Sequence, residues 1–64
     1  MPIVHVHLLS GRTAEQNRQI IREVSKATAK SADVPLENVR VLLHEVPKSN
    51  WGTGGILKDE VKSD

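Results

Sequence analysis

Positions 2–12 of the chain read PIVHVHLLSGR, and this stretch decides the fold because it predicts a strand that opens at a proline and closes at a glycine. Over residues 2–9 successive side chains fall on alternate faces, which is the period of a β-strand. Pro2 is compatible with that strand because it stands at the start, where its missing N–H donor costs least. Gly11 supplies backbone freedom for a short break before the next element.

A long helix is predicted next, over Ala14–Ala32. Thr13 is a favourable N-cap residue, and Gln16 stands where a capping box requires it. Pro35 follows the predicted end, and the residue before a proline disfavours helical geometry. The helix also carries an apolar stripe at helical spacing, which it can bury. This stripe consists of Ile20, Ile21, Val24, Ala27 and Thr28.

A second strand is predicted over Val39–Val46, which is rich in apolar and β-branched residues. A strand, a helix of that length and another strand form a βαβ unit, with parallel strands and a right-handed crossover. Pro47 ends the second strand. The glycine-rich segment that follows has turn composition and predicts a small hairpin ending near Ile56 and Leu57. We expect the charged tail, residues 58–64, to be loosely held.

The size of the chain predicts that it assembles. At 64 residues it is near the lower limit for independent folding, and such chains usually need disulfides, a metal or oligomerisation. It has no cysteine, which excludes disulfides and thiolate metal sites. One helix can cover only one face of a two-stranded sheet, although both faces carry apolar residues, so another subunit should cover the second face. The predicted fold class is therefore α+β, a single domain over residues 1–64. It comprises a βαβ unit with two parallel strands, one long helix and a short C-terminal hairpin, assembled as an oligomer.

Charge and hydropathy narrow the function classes. The net charge of +1 gives no electrostatic reason to expect nucleic acid or a membrane surface as a partner. No apolar run is long enough to span a bilayer, and there is no signal-peptide pattern, so we expect a cytoplasmic protein. Small DNA-binding dimers can also begin with a strand and a helix, but the near-neutral charge and the second strand argue against that class.

Pro2 is the first candidate for chemistry. If Met1 is removed, Pro2 becomes a secondary amine, which is both a base and a nucleophile. A free α-amino group has a pKa of about 7.7–8.0, and burial or a nearby guanidinium lowers such a value towards ambient pH, where a general base works best. The other interpretation is that Pro2 only follows the initiator methionine and opens a strand. The residues around it leave both open.

Two arginines and one tryptophan are further candidates. Arg12 and Arg40 could each hold a carboxylate through paired hydrogen bonds or stabilise charge on a carbonyl oxygen, although arginines beside strands are more often solvated or salt-bridged. Trp51, the single aromatic residue, could be a packing anchor, the apolar wall of a pocket, or both.

Two other patterns are interpreted structurally. His5 and His7 on one strand face, possibly with His44, could suggest zinc, but no acidic partner is close in sequence, so we predict packing or hydrogen bonding and no metal site. The glycines of residues 52–55 superficially resemble a phosphate-binding loop. They lack its Gly-Lys-Ser/Thr ending, so we predict a turn.

In combination, these motifs resemble the 4-oxalocrotonate tautomerase family over nearly the full length of the chain. Each motif alone is weak, but their order and spacing are specific. The resemblance rests on Pro2, Gly11-Arg12, the helix pattern from Glu15-Gln16 to Val24, Pro35-Leu36, Val39-Arg40-Val41 and the segment Trp51-Gly52-Thr53-Gly54-Gly55.

The resemblance implies a homohexamer of βαβ subunits, a trimer of dimers, acting on a small carboxylate substrate. Pro2 matches the family's amino-terminal proline, which shuttles a proton between carbon atoms of an enol or unsaturated keto acid. Arg12 matches the arginine that binds the distal carboxylate. Arg40 matches the arginine of a neighbouring subunit that engages the carbonyl and the adjacent carboxylate. Trp51 stands where the family commonly has phenylalanine, so the larger ring narrows the pocket or favours a different substrate.

We therefore expect a cofactor-independent isomerase for a small 2-hydroxydienoate or 2-keto acid, whose own carbonyl is the electron sink. Leu9 and Trp51 would keep the site dry. The chain has the proline and both arginines, so it needs no unlike partner. The alternatives are a non-catalytic oligomeric interaction module and a hydratase-like or dehalogenase-like activity. The latter is disfavoured because Thr53 stands where such relatives carry the carboxylate that activates water.

Overall fold

The computed structural model describes residues 1–60, and its elements follow the order strand, helix, strand, hairpin. The α+β architecture predicted from the sequence is confirmed. No helix within the described range is long and apolar enough to cross a membrane. The strands are β1 Ile3–Leu9, β2 Arg40–Val46, β3 Gly52–Thr53 and β4 Ile56–Leu57, the helix is α1 Ala14–Ala32, and three 3-10 turns occupy Leu36–Asn38, Lys48–Asn50 and Lys58–Glu60.

The helix α1 has the bounds that the sequence predicts. Its capping box is complete: the Thr13 hydroxyl accepts from the Gln16 main-chain N–H, and the Gln16 side chain accepts from the Thr13 N–H, both at 3.0 Å. At the other end Asp33 has a left-handed conformation, with φ +57°, and its N–H bonds back into the last turn. The helix thus ends through Asp33 rather than through Pro35, which instead precedes the first 3-10 turn.

The strands β1 and β2 pair in parallel, as predicted, with Ile3 opposite Arg40 and Leu9 opposite Val46. Each begins one residue later than the sequence suggested. Pro2 has no N–H to contribute to the ladder, although its carbonyl accepts from the Arg40 N–H at 3.0 Å. Val39 lies outside β2 because its N–H is engaged by the Leu36 carbonyl of the first 3-10 turn, also at 3.0 Å.

The helix packs on one face of this two-stranded sheet. Asn17 of α1 donates from its side-chain amide to the Glu45 carboxylate at 2.9 Å, which links the helix to the covered face. By the alternation of a strand, that face carries the aliphatic residues expected in a core. It consists of Val4, Val6, Leu8, Val41, Leu43 and Glu45.

The opposite face, called the open face below, is not covered by α1. It consists of Ile3, His5, His7, Leu9, Arg40, Leu42, His44 and Val46. Ile3 is 58% exposed and Leu42 is 42% exposed, and no residue in the range 1–60 is fully buried. The radius of gyration is 14.8 Å, whereas a compact domain of this length has a value of about 11 Å. The open face is therefore the surface that the sequence predicts another subunit to cover.

The C-terminal hairpin forms where it was predicted. Gly54 and Gly55 connect β3 to β4 and have φ values of +63° and +85°. Two successive residues with positive φ are what tight hairpin turns require, and glycine adopts them without strain. The expected loose tail was partly wrong, because Lys58–Glu60 form a 3-10 turn. The rest of that prediction, at residues 61–64, lies outside the described residues.

The capping box yields a stability prediction. Replacing Thr13 with alanine removes the acceptor for the Gln16 N–H, so Thr13→Ala should lower the free energy of unfolding by about 1 kcal/mol. Urea denaturation at one fixed protomer concentration measures this. Ser31→Ala, on an exposed position near the end of α1, is the matched control and should change stability by less than about 0.5 kcal/mol. Equal effects of both variants would contradict the role of the cap.

Candidate functional site

Pro2 and Arg40 adjoin at the amino-terminal end of the parallel strands. The contact is the main-chain hydrogen bond from Arg40 to the Pro2 carbonyl, 3.0 Å long, within one protomer. Pro2 is half-buried, whereas Met1 before it is 76% exposed. With Met1 attached, the nitrogen of Pro2 belongs to an amide and is not basic. Removal of Met1 would leave a secondary amine at this end of the sheet.

The Arg40 side chain is oriented by the 3-10 turn that precedes β2. One guanidinium nitrogen, Nη1, donates to the Glu37 carbonyl at 3.0 Å. A guanidinium carries five N–H donors, so one such bond sets its direction and leaves donors for a carboxylate. Strand alternation puts Arg40 on the open face with Ile3. Its guanidinium therefore belongs to the face that another protomer is expected to cover.

Arg12 lies at the other end of β1. Its guanidinium donates to the Leu9 carbonyl at 2.9 Å, and Gly11 turns the chain just before it with φ +124°. The seven-residue strand β1 separates Arg12 from Pro2, and at a rise of about 3.3 Å per residue it spans roughly 20 Å. An arginine side chain is much shorter than that. Arg12 and Pro2 of the same protomer therefore cannot contact one small ligand together.

Trp51 is anchored through its backbone. Its N–H donates to the Lys48 carbonyl at 3.3 Å, and its carbonyl accepts from the Lys58 N–H at 2.7 Å. These two bonds join the second and third 3-10 turns on either side of the hairpin. The Trp51 side chain is half-buried in the protomer, so part of the indole is available to a neighbour or a ligand.

A groove at the carboxyl end of α1 contains none of the predicted site residues. It is an open depression of about 470 Å³ at the carboxyl end of α1. Its lining residues are Lys26, Ala29, Lys30, Asp33, Val34 and Leu36. An open surface with two flexible lysines does not bury a ligand as small-molecule sites do. The groove is therefore a poor candidate for a small-molecule site.

The three histidines come together on the open face. His5 Nδ1 and His44 Nε2 are 2.9 Å apart, and the His7 ring stacks on His44 with centroids 4.6 Å apart. The sequence did not predict whether His44 joins His5 and His7. The strand register decides it, because His7 lies directly opposite His44. Within residues 1–60, no group of three or more His, Cys, Asp or Glu side chains is arranged to hold a metal ion. The observed contacts are the packing and hydrogen bonding that we predicted.

Comparison with known proteins gives consistent matches along the chain. The family model described as tautomerase enzyme matches residues 2–60. A 2-hydroxymuconate tautomerase from Pseudomonas sp. (strain CF600) is 53% identical over 62 residues, which is 97% of this chain and 98% of that protein.

Solved structures agree. A 4-oxalocrotonate tautomerase isozyme from Methylibium petroleiphilum is 45% identical, with a TM-score of 0.86, over 91% of this chain and 94% of that one. A heterohexamer 4-oxalocrotonate tautomerase from Chloroflexus aurantiacus J-10-fl is 39% identical, with a TM-score of 0.91, over 97% of this chain and all of that one.

The turn that presents Arg12 can be tested through Gly11. A Cβ added at Gly11 would meet nothing within 4 Å, so the cost of Gly11→Ala is backbone strain at φ +124° alone. We expect a loss of about 1–2 kcal/mol in the free energy of unfolding. Gly52→Ala is the matched control, because its φ lies outside the left-handed region and its Cβ would make ordinary contacts of 3.9 and 4.0 Å. Urea denaturation of both variants should rank Gly11→Ala as clearly less stable; the reverse order would refute the strain argument.

Proposed function

Because the chain belongs to the tautomerase enzyme family, we propose that it isomerises 2-hydroxymuconate or a closely similar 2-hydroxydienoate carrying two carboxylates. The observation that carries this proposal is the position of Pro2 beside Arg40 at one end of the β1–β2 pair. The strand pairing brings a potential base and a potential carboxylate ligand to the same end of the sheet, and the Arg40 guanidinium, on the open face, can serve the site of a neighbouring protomer. A family match of this extent favours an enzyme over a non-catalytic interaction module.

Pro2 acts as the general base in this proposal, after removal of Met1. Its secondary amine takes the proton from the 2-hydroxyl group of the dienol, so the O–H bond breaks and a carbonyl forms. The electron pair moves through the conjugated system, and the protonated amine returns a proton to a carbon atom of the diene. One proton leaves oxygen and one proton reaches carbon, so the reaction needs no co-reactant.

The two arginines hold the substrate's charges in this proposal. Arg40 engages the 2-oxygen and the adjacent carboxylate, where a guanidinium stabilises charge that develops on oxygen. Arg12 binds the distal carboxylate. The length of β1 supports an intermolecular arrangement, in which the Arg12 that serves a given Pro2 belongs to another protomer. Arg40 is on the open face, which suits a guanidinium that reaches into a neighbour's site.

Leu9 and Trp51 form the apolar walls in this proposal. Both are half-buried in the protomer, so each has surface left to exclude water once subunits join. A drier site strengthens the pairing of guanidinium with carboxylate. The assembly that we propose is a homohexamer, since one chain supplies Pro2, Arg12 and Arg40. A solved relative is a heterohexamer. The chain composition of the purified assembly therefore tests the proposal, because a requirement for a second, unlike chain would contradict it.

The role of Pro2 is tested by substitution and mass. Intact-mass measurement of the purified protein should show that Met1 is absent. Pro2→Ala keeps a terminal amine but changes its basicity and geometry, and it should lower kcat for ketonisation of 2-hydroxymuconate by about a hundredfold. The loss of dienol absorbance measures the rate. Pro47→Ala, which alters a proline at the end of β2, is the control and should retain activity. Full turnover by Pro2→Ala, or a retained Met1 in active enzyme, would exclude Pro2 as the base.

Sharing of the site between protomers is tested by complementation. Pro2→Ala and Arg12→Ala protomers, each with its own affinity tag, are co-expressed, and mixed oligomers are isolated through both tags. Each variant alone should be nearly inactive. If Pro2 and Arg12 of one site come from different protomers, random mixing restores about one site in four. A mixture as inactive as its parents would show that both residues act from one protomer or that one of them does not act.

A further inference from the structure

The segment that presents Arg12 is attached to β2 on both of its sides. Before Arg12, the Ser10 N–H donates to the Val46 carbonyl at 2.9 Å. After it, the side-chain amide of Asn17 donates to the Glu45 carboxylate, also at 2.9 Å. The two acceptors are consecutive residues of β2. The segment between these two bonds, called the Arg12 loop below, therefore begins and ends at neighbouring points of one strand.

The two attachments differ in kind. The Ser10 bond joins main-chain groups, so any residue except proline can make it. The second bond requires the side chains of both Asn17 and Glu45, and it crosses from the first turns of α1 to the sheet. The position of the Arg12 loop relative to β2 therefore depends on a specific pair of side chains.

Stability alone does not explain Asn17. Its other polar atom, Oδ1, is buried and accepts no hydrogen bond from any residue in the range 1–60. A buried acceptor without a donor costs about as much free energy as one hydrogen bond contributes, so the net gain from this side chain is small. Its bond to Glu45 nevertheless fixes a direction, because an amide N–H must point at the carboxylate that accepts from it.

The Arg12 loop has little else to hold it. Arg12 is exposed, and its guanidinium donates to the Leu9 carbonyl at the end of β1. Gly11 turns the chain with φ +124°, and a Cβ added there would meet nothing within 4 Å. A turn without packing contacts takes its position from its two ends. The place of the Arg12 guanidinium therefore follows from the attachments at Ser10 and Asn17.

We propose that Asn17 and Glu45 are positioning residues for Arg12, and that their hydrogen bond sets where the Arg12 guanidinium meets the distal carboxylate of a dicarboxylate substrate. The inference rests on the proposed function, in which Arg12 binds that carboxylate. Two parallel hydrogen bonds between guanidinium and carboxylate demand a defined geometry, so a displaced loop weakens them. Neither Asn17 nor Glu45 touches the substrate.

The position of Arg12 affects substrate binding rather than proton transfer. The distal carboxylate keeps its charge throughout the reaction, so Arg12 holds the ground state and the transition state equally well. Loss of such uniform binding raises KM and leaves kcat unchanged. A dienol with a single carboxylate gives Arg12 nothing to hold, so its turnover should not depend on the Asn17–Glu45 bond.

Steady-state kinetics of the full chain with two substrates tests the inference. The substrates are 2-hydroxymuconate and 2-hydroxypenta-2,4-dienoate, which has the same dienol but one carboxylate. Arg12→Ala is the reference and should lose kcat/KM with the dicarboxylate alone. Asn17→Ala should raise KM for 2-hydroxymuconate about tenfold, change kcat by less than about twofold, and leave both constants for the monocarboxylate unchanged.

The matched control is another amide of the same helix. Gln19 donates to the Glu23 carboxylate at 3.2 Å, a bond that runs along α1 and does not reach the sheet. Gln19→Ala removes this bond and should behave like the wild type with both substrates.

Substitutions of Glu45 test the same bond from its other side. Glu45→Gln keeps an oxygen that accepts from Asn17 and should retain the wild-type preference between the two substrates. Glu45→Leu removes the acceptor and should reproduce Asn17→Ala. The combined variant should be no worse than either single one, because both changes remove the same interaction. Glu45 is exposed, so its variants carry the test if Asn17→Ala does not fold.

The other outcomes separate this inference from the proposed function. Equal losses of Asn17→Ala with both substrates, an unchanged KM for 2-hydroxymuconate, or additive losses in the combined variant would overturn the positioning role while the reaction stands. A wild type that does not turn over 2-hydroxymuconate overturns the proposed function. An Arg12→Ala variant that loses activity equally with both substrates overturns the assignment of the distal carboxylate to Arg12, and the positioning role with it.

Discussion

Alternate side chains of β1 and β2 point to opposite faces of the sheet, whereas α1 can pack on only one of them. Parallel strands carry apolar residues on both faces because such pairs are normally covered on both sides. Within residues 1–60, α1 covers one of the two faces of the β1–β2 sheet, and no residue is fully buried. A chain of this size cannot offset the entropy of folding with so little burial. We therefore expect folding and association of this protein to be coupled, so that a free energy of unfolding should be compared only at a stated protomer concentration.

The same geometry determines where chemistry can occur. A strand is stiff and of fixed rise, so β1 keeps Pro2 and Arg12 of one protomer apart, while the pairing of β1 with β2 holds the main chains of Pro2 and Arg40 together. In the proposed function the distances between Pro2 and the arginines of one site run across interfaces, so activity depends on how protomers are placed. A substitution on the open face can then change activity without touching a group that binds substrate.

Local features of the fold could be predicted well from the sequence, and the reasons are physical. The bounds of α1 follow from hydrogen bonds within a few residues, such as the reciprocal pair of Thr13 and Gln16. The starts of the strands were less accurate because they depend on distant contacts, such as the bond from Val39 to the 3-10 turn. The association of His44 with His7 required the strand register, which one-dimensional spacing does not contain. The distance between Pro2 and Arg12 along β1 could be calculated from the sequence through the rise per residue. Which protomer supplies each residue of a site could not, because the residues of one chain do not define how copies of it pack together.

The parallel pairing of β1 with β2 also leaves each strand with an outer edge. In a two-stranded sheet both strands are edges, and each presents unpaired N–H and C=O groups that another chain can join. If two copies pair through the same edge of their sheets, the contact is two-fold symmetric and uses that edge in both copies. No further copy can add through it, so the assembly stays closed and finite. If one edge meets the other, each addition creates a new end and a filament results. The symmetry of the first contact therefore separates a finite oligomer from runaway polymerisation.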